Sequence, residues 1–378
     1  MKKKLLTTIL SISFVLFFSC QNRTKVAVIE SNDLKTIMLS SIEKSFYDTT
    51  YLKNPQIVVL ETVEESLLTD ITRIFMDDSL LFIFDLNGKF IRKIGTKGQG
   101  PSEYVQLGDF TVDTLNKQVI FMSTIPEKLM YFNYDGILIK EESHHSHYFR
   151  IIKDDKYVYL YTASHEVHSI NAESGAKQEV IEAKDIKNYL FGRGNMFSQS
   201  KGVFFAKRYD NTIYELKNGE AIKKYNVDFK KHTFPQRFIE ESDDRKISQD
   251  VRSSGYICHM TNILNSDRYL MYFTNMGMFF HDKNKETLHG YEEMKPTKLG
   301  FIFNYYQYPF LYYLPLENTD KIVFSLDDPS FIKHTVEHIL EQNPDLIKKD
   351  KEYMEMVDIA NKMTDDNNPV LFIYEFKD

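Results

Sequence analysis

Short runs of alternating apolar and polar residues, separated by X-Gly turns, organise most of this chain. "FDLNGKFIRKI", "YFNYDGILIKE", "SINAESGAKQEV" and "IYELKNGEAIKKY" each hold one alternating run, a turn and a second run. A period of two puts alternate side chains on one sheet face, so each run reads as a half-buried strand. Asn87-Gly88, Asp135-Gly136, Ser174-Gly175 and Asn218-Gly219 suit two-residue hairpins, because type I′ turns need positive φ at both central positions. A fifth hairpin falls in "MFFHDKNKETLHGY", where Lys283 to Lys285 replace the glycine turn.

The pattern fills in between the turns. Strands are expected at 109–113, 117–123, 128–134 and 137–142. Four short strands in each period of roughly 40 to 50 residues point to a propeller blade rather than a sandwich. The five hairpins mark five such units. A sixth assembles from both chain ends, with "FLYYLPLENTDKIVFSL" and "NPVLFIYEF" closed by "QIVVLET" at 56–62. The first unit, "ITRIFMDDSLLFIFDLNG", is about one strand short. Two stretches break the alternation. Residues 327–363 read as a helical hairpin: Asp328-Pro329 supplies an N-cap with proline at the first helical position. Phe331, Ile332, Val336, Ile339 and Leu340 share one helical face, as do Met356, Ile359, Ala360 and Met363. Residues 232–255 are polar and charged, a long loop with a helical turn. Insertions of this kind cover one face of a β-scaffold, where function tends to sit. The expected fold is therefore all-β, a six-bladed β-propeller with a small helical hairpin inserted in the last blade at about 329–363.

The first twenty residues lie outside this pattern. Lys2, Lys3 and Lys4 precede an uncharged apolar stretch from Leu5 to Phe18, closed by Ser19-Cys20. That is a targeting segment, shorter than the ~20 residues of a membrane span. Its end resembles the lipobox of bacterial lipoproteins. The resemblance implies that Cys20 becomes the acylated N-terminus and anchors the protein in the membrane. Gln21, in place of Asp, implies the outer membrane, and with no acidic run after it, a periplasm-facing orientation. Phe17 and Phe18 stand where Leu and a small residue are commoner, so a plain secretory signal cleaved elsewhere is the alternative. The expected organisation is a signal peptide at 1–20, a linker at 21–54 and the propeller at 55–378.

Composition narrows the function classes. Tyr at 24 and Phe at 29, with no Trp, favour strands. A net charge of −7, mixed along the chain, offers no basic field for nucleic acid. Apart from Cys20 there is only Cys258, so no intramolecular disulfide framework exists, and "GYICHMTNIL" makes Cys258 a small core residue.

"GTKGQGPSEY" raises the question of a phosphate loop, which needs glycines between a strand and a helix N-terminus. Pro101 ends the run, a strand follows, and no Gly-Lys-Ser/Thr is present, so Gly95, Gly98 and Gly100 read as a sharp crossing between units. With "FDLNGKFIRKIGTKGQGPSEY" and "DFTVD" together, the chain resembles six-bladed β-propeller lipoproteins of Gram-negative bacteria, themselves similar to NHL-repeat propellers. The closing "NNPVLFIYEFK" resembles the last strand of that family. The resemblance implies fold and location, and no activity.

The candidate chemistry is sparse. His144, His145 and His147 in "EESHHSHYF" offer imidazoles, but 144 and 145 alternate on a strand and no matching His/Cys pair stands elsewhere. "HTVEH" at 334–338 sets two histidines one helical turn apart without the metalloprotease glutamate. Asp77-Asp78, Asp154-Asp155, Asp243-Asp244, Asp327-Asp328 and Asp365-Asp366 are adjacent pairs, mostly at strand ends, and read as turn chemistry. No catalytic residue, metal site or cofactor is assigned. Arginines and tyrosines near blade ends suit sugars, peptides or carboxylates through stacking and bidentate hydrogen bonds. Arg73, Arg150, Arg208, Arg252 and Tyr256 are the candidates, with "FNYYQYPFLYY" at 303–313 as a further aromatic surface. The function expected is a lipid-anchored binding or scaffolding protein of the cell envelope. Its partner is an unidentified small molecule, glycan, peptide or protein. A periplasmic hydrolase or lyase acting on glycans or peptides is the alternative.

Overall fold

The computed structural model describes residues 28–377 apart from 69–70, 79, 82, 145, 184–195, 241–242, 296, 298–311, 327–329, 346–350, 362 and 364–366. The alternating runs become antiparallel meanders in chain order. β6 (Gln106–Asp113), β7 (Gln118–Ile125), β8 (Glu127–Asn133) and β9 (Leu138–Ser143) form one four-stranded sheet, close to the strands expected there. β10 (Tyr148–Lys153), β11 (Tyr157–Thr162), β12 (Val167–Asn171) and β13 (Lys177–Ile181) form the next. The same order repeats in β14 (Phe197–Ser200), β15 (Gly202–Ala206), β16 (Thr212–Lys217) and β17 (Glu220–Asp228). It repeats once more in β18 (Thr261–Asn265), β19 (Tyr269–Thr274), β20 (Gly277–Asp282) and β21 (Thr287–Lys295). The four hairpin glycines all have positive φ, from 69° at Gly175 to 84° at Gly88, which is what the turns require. In the fifth hairpin Glu286 takes the left-handed position, at φ 53°.

The chain ends meet as expected. β22 (Tyr312–Glu317), β23 (Lys321–Leu326) and β24 (Val370–Glu375) are antiparallel, and β2 (Gln56–Val59) pairs with β24, Gln56 opposite Ile373. The first unit is weaker than one missing strand. β3 (Ile74–Phe75), β4 (Leu80–Leu81) and β5 (Phe84–Asp85) hold two residues each, and β3 joins the edge of β22 in parallel.

The apolar faces of neighbouring sheets bury one another. Ile120, Met122 and Tyr131 meet Ile151, Val158 and Leu160 of the following sheet. Ile152, Tyr159 and Tyr161 meet Phe197, Phe205 and Tyr214 of the one after. The first strands of successive units lie against each other: β10 on β6, β14 on β10, β18 and β22 on β14, and β22 on β3. They surround the centre of the molecule. The first and third turns of the meanders, such as 154–156, 218–219 and 266–268, gather at one end of the strands, the turn face. The opposite end, the insertion face, carries 163–166, 207–211 and the long segment 229–260.

Residues 21–54 were expected as a linker, and the structure corrects this from Ile29 onward. β1 (Ile29–Tyr47) is a strand of 19 residues. Its first half runs parallel to β17, Ile29 opposite Ile222, and its second half parallel to β21, Tyr47 opposite Lys295. It therefore joins the outer edges of two meanders into one nine-stranded sheet. Only Ile37, Leu39 and Phe46 of this strand are buried, so its sequence shows little alternation. Backbone pairing on exposed edges holds it instead.

The loop at 232–255 contains more helix than expected. α1 (Asp244–Ser254) spans 11 residues, capped by the Asp243 side chain, which accepts from the Arg245 and Lys246 N–H groups, and stopped by Gly255 at φ 65°. The helical hairpin forms α2 (Ser330–Gln342) and α3 (Lys351–Asn361). Ile332, Val336, Met356, Ile359, Ala360 and Met363 are buried with Phe324 and Phe372. The proposed Asp328-Pro329 cap lies outside the described residues.

Candidate functional site

Two polar constellations stand out from the apolar packing, one at the centre and one on the insertion face. At the centre, Arg73 just before β3 is 1% exposed at its side chain. Its Nη1 donates to Asp109 Oδ2 at 3.1 Å and to the carbonyls of Phe110 at 2.7 Å and Ile151 at 2.8 Å. Its Nη2 donates to Glu317 Oε1 at 3.3 Å, and the guanidinium lies 5.0 Å from the Phe75 ring centre. The carboxylates are held in turn: Ile151 N–H donates to Asp109 at 3.0 Å, and Gln199 N–H donates to Glu317. One guanidinium thus ties together segments from β3, β6, β10, β14 and β22. Burial pushes the Glu317 carboxyl up to about 7, against the pull of Arg73 and with Asp109 adding to the rise. The same two carboxylates hold the Arg73 cation in its charged form. The cause of both is that two acids share one base in a dry interior. Arg73 was a ligand-binding candidate in the sequence; its burial and its acid partners leave it no surface for a ligand.

On the insertion face, three loops converge on Arg208. The 163–166 loop brings His165, the 207–211 turn brings Lys207, Arg208 and Tyr209, and the segment before β18 brings Cys258 and His259. The Arg208 charge acts on His165, Cys258 and His259 alike. Burial first, then Arg208 and Lys207, pushes His165 down to about 4; burial and Arg208 push His259 down to about 4. Both imidazoles are therefore neutral at physiological pH beside a fixed cation. The Tyr161 hydroxyl meets His165 Nδ1, and Lys207 Nζ donates to the Glu182 carbonyl at 2.6 Å. His165 at φ 65° and Tyr209 at φ 55° both sit in the left-handed region, a strain of order 1 kcal/mol each for residues with a Cβ.

The insertion clamps these loops. Tyr209 N–H donates to the Cys258 carbonyl at 3.0 Å, and the Tyr209 ring stacks on Phe234 at 4.4 Å between centres. Phe238 follows at 5.7 Å from Phe234, and Tyr256 at 6.0 Å from Phe238. Asn275 accepts from Cys258 N–H at 2.9 Å and donates to the Tyr256 carbonyl at 2.7 Å. The result is a partly buried floor of Arg208, neutral imidazoles and aromatic rings, half-roofed by α1. It can attract an anion at the half-buried Arg208, with the partly exposed Tyr256 on the same face. It cannot readily do nucleophilic chemistry: Cys258 Sγ lies 3.3 Å from His259 Nδ1, but burial pushes the thiol up to about 12 while the imidazole moves the other way.

The sequence candidates divide accordingly. Arg208 and Tyr256 fall on this face together, and Arg252 belongs to α1 beside them, though its side chain lies outside the described residues. Arg150 sits on β10, half-buried, donating to the Phe149 carbonyl at 2.8 Å, away from the cluster. Cys20, His145, Asp327-Asp328, Asp365-Asp366 and residues 303–311 of the aromatic run also lie outside the described residues. Asp154 caps its own turn and Asp243 caps α1, whereas Asp77 and Asp78 pair with Lys117 at 2.8 and 2.9 Å. His147 pairs with Glu127 at 2.5 Å. Among the described residues no three His, Cys, Asp or Glu side chains gather around a possible metal, and no helix is long and apolar enough to cross a membrane. His165, Lys207 and His259 were missed. The signal was the basic pair Lys207-Arg208 directly after the buried run "GVFFA".

The family described as "Domain of unknown function (DUF4934)" matches residues 13–375 of this chain. No curated protein matches it. A crystal structure from Bacteroides fragilis NCTC 9343, whose description gives export as an assumption, is similar at a TM-score of 0.68 and 17% identity. That match covers 91% of this chain and all of the other; at this identity the likeness is one of fold. A member of the DUF4221 family from Bacteroides vulgatus is similar at TM-score 0.49 and 12% identity, covering 86% of this chain and 98% of the other. BamB from Moraxella catarrhalis follows at TM-score 0.36 and 12% identity, covering 63% and 66%. Likeness as weak as these last two carries no argument about the fold.

Proposed function

The chain belongs to the DUF4934 family, whose role is unassigned, and from that premise we propose that it is an exported binding protein of the cell envelope. It is anchored through Cys20 in the outer membrane, faces the periplasm, and binds a carboxylate-bearing ligand at the Arg208 face. Its scaffold is a six-bladed propeller. Four meanders, the sheet assembled from both chain ends and the two-stranded β4–β5 sheet support that count, with the β2–β24 pairing as the closure. The leader ending in Ser19-Cys20 supports the anchor, and the described export of the Bacteroides fragilis relative in fold accords with it.

The observation that carries the binding reading is the convergence of three loops on Arg208, with both neighbouring imidazoles held neutral. Arginine recognises a carboxylate bidentately, and Tyr256, partly exposed beside the buried rings of Tyr209, Phe234 and Phe238, offers one ring face to a sugar or a peptide side chain. The raised thiol of Cys258 beside the lowered imidazole of His259 supports binding over nucleophilic catalysis there.

Thermal melting of the 24–378 protein against uronic-acid oligosaccharides, neutral oligosaccharides, acidic peptides, divalent metals and a chelator tests this. A ligand that binds only the folded state raises the melting temperature, by about 2.7 kcal/mol of stability at a hundredfold excess over Kd. An acidic glycan or peptide should shift the melt of the wild type and not of Arg208→Ala. A shift from metals with a drop in chelator would instead favour a metal-dependent enzyme. A shift that survives Arg208→Ala would move the site elsewhere.

A further inference from the structure

We infer that the turn face lies against the membrane and that the insertion face, with Arg208, points away from it. This rests on the lipid anchor at Cys20 proposed above, and the geometry adds the direction. β1 is parallel to β17, and its first residue, Ile29, stands opposite Ile222, directly after the Asn218-Gly219 turn. The chain therefore enters the fold at the turn face, and it returns there where Lys53 N–H donates to the Glu375 carbonyl.

The entry point is fixed rather than loose. Val28 packs among Tyr157, Leu216 and Ala221, and Glu30 pairs with Lys223 at 3.0 Å. Gly219 is locked into that corner: its φ is 82°, and a Cβ there would stand 2.6 Å from the Tyr157 ring. From Cys20 to Val28 the covalent chain reaches at most about 28 Å, fully extended at ~3.5 Å per residue. β17 alone, at 9 residues, rises about 30 Å at ~3.3 Å per residue. A body of this size is roughly 50 Å across by the usual scaling of compact chains. A tether shorter than the body holds its point of attachment toward the bilayer. To lay the insertion face on the lipid, the tether would have to run up the full height of the sheet with nothing to spare.

Charge does not set this direction. The turn face holds a cleft of about 460 Å³ whose lining mixes Lys53, Arg268, Lys321 and Lys377 with Asp267, Asp320 and Glu375. Arg268 pairs with Asp282 at 3.2 Å and Lys321 with Glu375 at 2.7 Å. Such a surface neither draws nor repels anionic headgroups strongly, so the orientation should be the same at low and high salt.

The full-length acylated protein, reconstituted in phosphatidylcholine vesicles with a headgroup spin-labelled lipid, provides the test. Lys156→Cys and Lys217→Cys place a fluorophore on the turn face; Gln236→Cys and Gln249→Cys place one on the insertion face. All four positions are exposed, and the native Cys258 is buried and will not label. Mass spectrometry of the mature N-terminus comes first, and melting of each variant confirms its fold. The turn-face labels should be quenched several-fold more than the insertion-face labels, in low and in high salt alike. An unacylated N-terminus overturns the anchor and the orientation with it. An acylated protein with equal or reversed quenching overturns the orientation alone.

Discussion

Replacing Glu317 by Gln isolates the ionic clasp at the centre of the molecule. In the folded protein burial, with Asp109 nearby, raises the Glu317 carboxyl from 4.5 to about 7. The sign follows from proton counting. Between pH 4.5 and 7 the folded state still holds a proton that the unfolded state has released. The stability contributed by that proton is fully present below pH 4.5 and is lost as pH rises through 7. A rise of this size corresponds to about 3 kcal/mol at ~1.4 kcal/mol per pH unit. Glutamine has the same shape and no ionisation, so Glu317→Gln removes this slope. Its stability relative to wild type should improve by about 3 kcal/mol between pH 4.5 and pH 8. For a domain of this length, with an unfolding entropy of roughly 2 cal/mol/K per residue, that is about 4 °C in Tm. Paired melts of both proteins across that range, at constant ionic strength, give the difference directly. A constant gap between the two curves would refute the reasoning and mean that the Arg73 charge fully satisfies Glu317.

Other perturbations test separate parts of the structure. Arg73→Met leaves Asp109 and Glu317 buried without their cation and should cost about 3–5 kcal/mol; denaturant unfolding measures it, and Arg73→Lys should recover little because lysine cannot bridge both acids and two carbonyls at once. Leu39→Ala empties a fully packed position where β1 crosses between two meanders and should lose 2–5 kcal/mol, or about the same as a large-to-small change in any core, if β1 is part of the cooperative unit; melting would show no loss if β1 were a loose tail. Gly277→Ala places a Cβ 2.0 Å from the Tyr291 carbonyl oxygen at φ 120°, so it should lower the Tm by several degrees, whereas a neutral outcome would mean that the β20–β21 pairing yields there. Cys258 should not react with a thiol reagent at pH 8 until the protein is unfolded, since burial pushes it up to about 12; a fast native reaction would contradict the inert Cys–His contact.

The meanders were legible because each hairpin carries two independent signals, alternation in the strands and a glycine that the turn geometry requires. The pairing of "QIVVLET" with "NPVLFIYEF" was legible for a related reason: a lone strand at each end has unpaired edges to satisfy. β1 escaped because its sixteen exposed or half-exposed positions make no apolar stripe, and its stability comes from backbone bonds that leave no trace in side-chain pattern. α1 was read as a single turn, although Asp243, Ile247, Val251 and Gly255 together mark a capped helix with one buried stripe. The Arg208 face was half legible. Arg208, Arg252 and Tyr256 were read as binding groups by type, but spacing along the chain cannot tell them from Arg73, which folding sends to the buried centre. Only the three-dimensional meeting of 163–166, 207–211 and 256–260 makes His165 and His259 members of the same site.

Hydrogen–deuterium exchange with and without an acidic oligosaccharide such as oligogalacturonate addresses the central claim most directly, because it locates the ligand on one face or the other. The account predicts slowed exchange in 162–167, 206–211 and 256–260, unchanged exchange in the turns at 154–156, 218–219 and 266–268, and no slowing anywhere in Arg208→Ala. Protection confined to the turn face, or protection of the Arg208 loops that persists in Arg208→Ala, would contradict it.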